Sequence, residues 1–318
     1  MRALEISAPG GPEVLRVVER PAPVPAAGEV LLRVKAAGMS HADVMQRQGR
    51  YPPPSGASDI PGLEAAGIIE ETGERVCALL TGGGDAQYVA VPREQILPIP
   101  DSWDFVEAAT LPENMFTVYD NLFTRAGLRA GESILVHGGS SGIGTTAIML
   151  AKAFGASFIA ATAGSEAKCD ACRSLGADLA IDYKREDFVE GVRSATSGHG
   201  VDVILDIVGG DYIARDIDAL APDGRIVCLA VPAGRVVQLD LRVLMQKRAA
   251  IMASSLRART PQQKGAIRDR LLREVWPKLP ARNTIRPLVD STFPLEKAAD
   301  AHRRMEASEH VGKIVLTL

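Results

Sequence analysis

The sequence predicts an α/β chain in two parts: a β-rich domain, and a doubly wound Rossmann domain built on a parallel six-stranded sheet. Three observations carry this. A strand-like apolar run, Ile134-Leu135-Val136, passes through a glycine-rich turn, His137 to Gly144, into an apolar-periodic helix. Short apolar runs then alternate with amphipathic stretches along the next hundred or so residues, the pattern of parallel strands joined by crossover helices. Before all of this, the chain to about residue 110 shows short strand-like runs separated by Pro and Gly clusters.

In the first part, residues 2–6, 14–19 and 30–36 read as strands. The segment Pro21-Ala22-Pro23-Val24-Pro25 cannot join the middle of a sheet and reads as a rigid connector. Residues 42–48 suit a short helix, and 65–70, 75–80 and 87–91 further strands. A helix over 101–122 leads toward the second part. There, strands at 134–136, 157–162, 179–182, 201–206, 225–229 and 250–253 alternate with helices, of which 166–175, 186–196, 212–220 and 241–247 follow the first. Beyond lie an amphipathic stretch at 262–279, an extended one at 285–289, a helix at 295–307 and a terminal strand at 313–318. These last elements do not continue the strand–helix repeat, so they are assigned to the first domain. The expected boundaries are 1–119 with 256–318 for one domain and 120–255 for the other.

A chain of 318 residues has room for two domains and a large core. The formal net charge of −3 argues against nucleic acid or an anionic membrane as a main partner. No apolar run reaches the ~18 residues of a membrane span, and the N-terminus lacks the apolar core of a signal peptide, so a cytoplasmic protein is expected. Cys169-x-x-Cys172 has the spacing of half a metal site, but it lies in a predicted helix with no second ligand pair nearby, and reads as a chance pair.

A strand, a glycine turn and a helix N-terminus together make a pyrophosphate site. Glycines let the backbone approach the phosphates, and the helix end offers unpaired N–H groups. The same glycines could serve an ordinary tight turn, and it is the succession of strands and helices that favours the nucleotide. NAD-specific folds place an acid at the end of the second strand to bind the ribose 2′-hydroxyl. This chain has Ala163-Gly164-Ser165 there, with Lys168 one turn into the next helix and Glu166 between them. Ser165 and Lys168 suit a 2′-phosphate, which points to NADPH.

Several stretches carry a resemblance across the whole chain: GGPEVL (10–15), ADVMQRQGRYPPP (42–54), IPGLEAAG (60–67), LPENMFTVYDNLF (111–123), VHGGSSGIGTTAI (136–148), ATAGSEAKCDACRSLGAD (161–178), DYKRED (182–187) and GKIVL (312–316). In these the chain resembles the zinc-independent quinone oxidoreductase branch of the medium-chain dehydrogenase/reductase superfamily, most of all the p53-inducible quinone oxidoreductase-like group. The resemblance implies a GroES-like catalytic domain beside the Rossmann domain, NADPH as cofactor, and a homodimer or homotetramer. It implies cofactor contacts at Thr117, at Ser140, Ser141, Gly142, Ile143 and Gly144, at Gly164, Ser165, Lys168 and Tyr183, at Leu229, Ala230 and Val231, and at Ser255, Leu256, Arg257 and Lys313. Zinc-dependent members carry a Cys-His pair where this chain has Ser40-His41, and a His-Glu pair where it has Leu63-Glu64. Hydroxyl and isobutyl groups do not replace thiolate and imidazole on Zn²⁺, so no metal is expected.

The activity implied is NADPH:quinone oxidoreduction. A quinone is electron-poor enough to accept hydride without a Lewis acid, provided that hydrogen-bond donors meet the developing oxyanion. Tyr51 is the candidate donor, with packing of the Pro52-Pro53-Pro54 turn as its alternative role; Ser40 sits where many relatives have Asn. The substrate expected is a small-molecule quinone or another electron-poor carbonyl compound. Two other readings stay open: reduction of an activated C=C bond in an enal or enone, and a low-turnover NADPH-binding sensor. Gly73-Glu74-Arg75-Val76 follows a shortened hairpin, which could reshape the rim of the substrate site.

Overall fold

The computed structural model describes residues 1–281 and 284–318. Two compact units emerge. One holds Met1–Phe116 together with nearly all of the chain from Leu256 onward; the other holds Thr117–Ser255.

The first unit begins with β1 (Arg2–Ile6) and β2 (Leu15–Glu19), which pair antiparallel. Next come β3 (Glu29–Met39), α1 (His41–Arg47), β4 (Glu64–Ile69), β5 (Arg75–Leu79), β6 (Tyr88–Pro92) and β7 (Ile96–Pro98), then α2 (Phe105–Ala108) and α3 (Pro112–Tyr119). In β3 buried and half-buried residues alternate, the mark of a strand with one face on the core. The helix expected over 101–122 is interrupted. Pro112 has no N–H to give to the preceding turn and its ring clashes there, so a new helix starts at that residue. A π-helical turn, Asp120–Arg125, then follows α3.

The second unit alternates strictly: β8 (Ser133–Val136), α4 (Gly142–Ala153), β9 (Phe158–Ala163), α5 (Glu166–Leu175), β10 (Leu179–Asp182), α6 (Phe188–Ala195), β11 (Val201–Asp206), α7 (Tyr212–Ala219), β12 (Leu220–Cys228), α8 (Leu241–Lys247) and β13 (Ala250–Ala253). All six strands are parallel, in the order β10-β9-β8-β11-β12-β13. This is the doubly wound order in which the chain reverses direction across the sheet between β8 and β11. The core on this sheet includes Leu135, Ala160, Ile204 and Ile226 from four neighbouring strands, with Phe188 and Val192 from α6 and Ile213 and Ile217 from α7.

The chain then returns to the first unit with α9 (Pro261–Glu274), β14 (Val289–Pro294), α10 (Ala298–Ala307) and β15 (Lys313–Thr317). The extended segment expected at 285–289 becomes a strand only from Val289; Pro287 has no ladder donor to offer before it. β15 pairs antiparallel with β3 and parallel with β14, completing a seven-stranded sheet with β4, β5, β6 and β7. One core of this unit joins Leu4, Met39, Leu295 and Leu316, so the tail is built into its interior.

Candidate functional site

The glycine turn leaves β8 at the switch point of the parallel sheet, where open α/β folds bind their ligands. Gly138 turns with φ +64°, a conformation a side chain would strain. At Gly144 a Cβ would fall 2.2 Å from the Gly138 carbonyl oxygen, so only glycine lets the helix start so close to the turn. Ser141 caps α4 by accepting the Gly144 N–H at 3.0 Å. The Gly142 and Ile143 amides open the helix, among the groups that an α-helix leaves without an internal acceptor. Together with the dipole they form an anion cradle.

The turn has a buried support that the sequence did not disclose. The His137 ring lies 2.7 Å through Nε2 from Asp216 and 3.0 Å through Nδ1 from the Thr162 hydroxyl, and that hydroxyl accepts the Gly138 N–H at 3.3 Å. His137 and Asp216 are fully buried, and Phe188 and Tyr212 meet the imidazole edge-on. The only cue was a histidine at the end of an apolar strand. Its partners come from α7 and β9, far along the chain. Cys172, whose thiol burial pushes up to about 12, packs its sulfur against Gly139, giving that half of the Cys pair a packing role.

The other expected contacts of this unit, Thr117 apart, follow the carboxyl ends of its strands. Gly164, Ser165 and Lys168 follow β9, and Tyr183 follows β10. Leu229, Ala230 and Val231 follow β12, and Ser255 lies just past β13. A Cβ on Gly164 would fall 2.8 Å from the Tyr183 hydroxyl, so these two positions adjoin. Glu166 turns outward along α5, where it accepts from Arg173 at 2.8 Å. Thr117 lies in α3, and its carbonyl accepts from the Asn121 side chain.

In the first unit, Ser40 caps α1. Asp43, fully buried, accepts from the Ser40 amide at 2.7 Å, from the Ser40 hydroxyl at 3.1 Å and from the Gly62 amide at 3.2 Å. Burial pushes both Asp43 and Asp85 above the usual carboxylate range. Glu64 is buried beside them, its Oε1 2.6 Å from the Lys313 ammonium and its Oε2 accepting the Glu113 N–H at 2.8 Å. Lys313 is thus engaged in a buried ion pair. Arg257 is also buried, and its guanidinium donates to the carbonyls of Thr81 and Tyr51 and to the Gln46 side chain. It stacks over the Tyr51 ring at 5.1 Å. Leu256 precedes it. Tyr51 is half-buried, and its hydroxyl makes no hydrogen bond to a described residue.

The donor set does not suit catalytic zinc. Ser40 offers a hydroxyl engaged with Asp43, and Leu63 offers no ligand atom. Among the described residues no three His, Cys, Asp or Glu side chains converge as a metal site would need. None of the described helices is long and apolar enough to cross a membrane.

Comparison with known proteins agrees with this anatomy. Residues 26–101 match the alcohol dehydrogenase GroES-like domain, and residues 175–316 the family described as zinc-binding dehydrogenase. Quinone oxidoreductase of Rattus norvegicus is 31% identical, covering 100% of this chain and 98% of that protein. The quinone oxidoreductase from Thermus thermophilus, whose structure was also solved with NADPH, is 33% identical with a TM-score of 0.85 over 100% of both chains. The JamJ enoyl reductase is 26% identical with a TM-score of 0.86, over 99% of this chain and 98% of that one. A GroES-like first domain, a six-stranded Rossmann sheet and full-length quinone oxidoreductase relatives place the chain in the medium-chain dehydrogenase/reductase superfamily, as an oxidoreductase.

Proposed function

We propose that the protein is an NADPH-dependent quinone oxidoreductase that works without zinc. The observation that carries the cofactor choice is the end of β9. It offers Gly164 and Ser165, with Tyr183 adjoining and Lys168 in the first turn of α5, while Glu166 is drawn off by Arg173. An acid at that strand end would repel a 2′-phosphate; a hydroxyl and an ammonium suit it.

In this reading the α4 N-terminus binds the pyrophosphate, supported by the Asp216–His137–Thr162 chain beneath it. NADPH held there would supply hydride, and a quinone that accepts its two electrons and one proton would become a hydroquinone monoanion, which takes its second proton from solvent. Tyr51 donates a hydrogen bond to the oxygen on which the charge collects, and Arg257 fixes the tyrosine from behind.

The likeness to an enoyl reductase supports a second reading, hydride transfer to an activated C=C bond. NADPH oxidation measured with 1,2- and 1,4-quinones against 2-alkenals separates the two. Turnover with quinones alone supports the first reading, and turnover with alkenals alone the second. Saturable NADPH binding without turnover of either substrate class would favour the sensor alternative.

A further inference from the structure

α9 contains a second cation that the proposed reaction has not used. Lys264 is 1% exposed. Its ammonium donates to the Thr81 hydroxyl at 2.8 Å and to the Arg257 carbonyl at 3.1 Å. Arg257, 5% exposed, gives its own donors to two carbonyls and an amide oxygen. Neither cation forms an ion pair with a described carboxylate, although burying a charge is costly and buried cations usually have an acid beside them. Asp43 and the Tyr51 phenol act on Arg257, and Arg257 acts on Lys264. Glu94 packs against Gly265, the residue of α9 next to Lys264.

Both cations are tied to the Tyr51 loop. Arg257 holds the Tyr51 carbonyl and covers the face of its ring, Gln46 links Arg257 to α1, and Lys264 anchors Arg257 through its carbonyl. We infer that Arg257 and Lys264 form a buried positive centre behind Tyr51 that stabilises negative charge on a substrate oxygen bound at the tyrosine hydroxyl. Lys264 is a positioning and electrostatic residue here, acting through Arg257 and Tyr51. The inference rests on Tyr51 being the oxyanion donor of the proposed reaction. It explains the uncompensated burial, because the anion that balances the two cations is the one formed on the substrate. Both cations are charged in the resting protein at neutral pH, held by neutral acceptors until the substrate anion forms.

Burial, followed by the neighbouring Arg257, pushes Lys264 down to about 8. Its two acceptors can be satisfied by a neutral amine, which keeps two N–H donors, so deprotonation removes charge and leaves the frame in place. Raising the pH therefore tests the field separately from the geometry.

The probe is 4-nitrophenol, whose phenolate absorbs distinctly from the phenol, titrated against the full-length protein without cofactor. At pH about 7 the site should bind phenolate in preference to phenol by at least about threefold, a modest effect for an oxyanion site. The preference should fade as the pH passes about 8. Lys264→Met should lose it at pH about 7, Lys264→Arg should keep it above pH about 9, and Tyr51→Phe should weaken binding of both forms. Tryptophan fluorescence and the unfolding midpoint show that each variant is folded, and if Lys264→Met is not, the Lys264→Arg arm decides. Equal preference in the wild type and Lys264→Met, the same fading in Lys264→Arg as in the wild type, or no binding of the probe, overturns the inference. NADPH binding measured on the same samples keeps the two readings apart: bound NADPH without a phenolate preference sinks the positive centre alone, and absent NADPH binding sinks the proposed function.

Discussion

Replacing Lys313 by methionine should destabilise the first unit severely, and the loss should depend on pH. Glu64 is 0% exposed and Lys313 5%, and their charged atoms stand 2.6 Å apart. Burial pushes Glu64 up, and the Lys313 charge is the largest factor holding it down. For Lys313, burial alone would lower the ammonium, but Glu64 and Glu113 outweigh it, so the net direction is up. Removing the cation leaves a carboxylate with one backbone donor, the Glu113 N–H. Breaking a buried pair in this way costs about 3–5 kcal/mol. Glu64 can escape part of that cost by taking a proton, so its folded pKa rises further above the unfolded value in the variant. For an acid raised on folding, the penalty is present above the folded pKa and disappears as pH falls below the unfolded one. The Lys313→Met deficit should therefore shrink between neutral pH and about pH 5. Urea unfolding followed by tryptophan fluorescence is the assay. The chain has two tryptophans, Trp103 and Trp276, and both lie in the first unit, so the signal reports that unit alone. Adding Glu64→Gln to Lys313→Met should recover at least half of the loss. A deficit below about 1 kcal/mol, in the range of an exposed pair, or one unchanged by pH and by the second substitution, would refute the reasoning.

Other expectations follow from the same geometry. Lys168→Ala should weaken NADPH binding about tenfold and leave NADH binding within about twofold, as expected for loss of one charged contact to phosphate; fluorescence titration of both cofactors checks it. Tyr51→Phe should lower quinone turnover by roughly 10- to 100-fold with NADPH affinity unchanged, and an unaltered turnover rate would remove Tyr51 from the chemistry. Gly144→Ala drives a Cβ to 2.2 Å from the Gly138 oxygen. It should abolish saturable NADPH binding and cost the second unit about 1–3 kcal/mol or more, read by circular dichroism melts. Lys264 gives a stability signature as well. Its folded value of about 8 lies below the ordinary 10.5, so the folded state holds fewer protons between them. Stability should rise with pH across that window by about 3 kcal/mol relative to Lys264→Met.

The sequence by itself determined the elements that local chemistry dictates. The strand–glycine–helix unit around Gly138 and Gly144, the alternation from β8 to β13 and the terminal strand were all legible, because apolar periodicity and glycine spacing are local properties. The absence of zinc ligands at Ser40 and Leu63 was legible for the same reason: ligand identity is written in single letters. The single helix read over 101–122 is broken because Pro112 can only begin a helix, which an apolar pattern by itself does not register.

Only the tertiary structure decided which side chains meet. Asp216 lies 79 residues from His137, Lys264 lies 183 from Thr81, and Arg257 lies 206 from Tyr51. Such pairs leave no periodic trace, because nothing in one partner's neighbourhood specifies the other. A buried lysine and a solvated one are the same letter, and only the packing of α9 against its neighbours removes Lys264 from water.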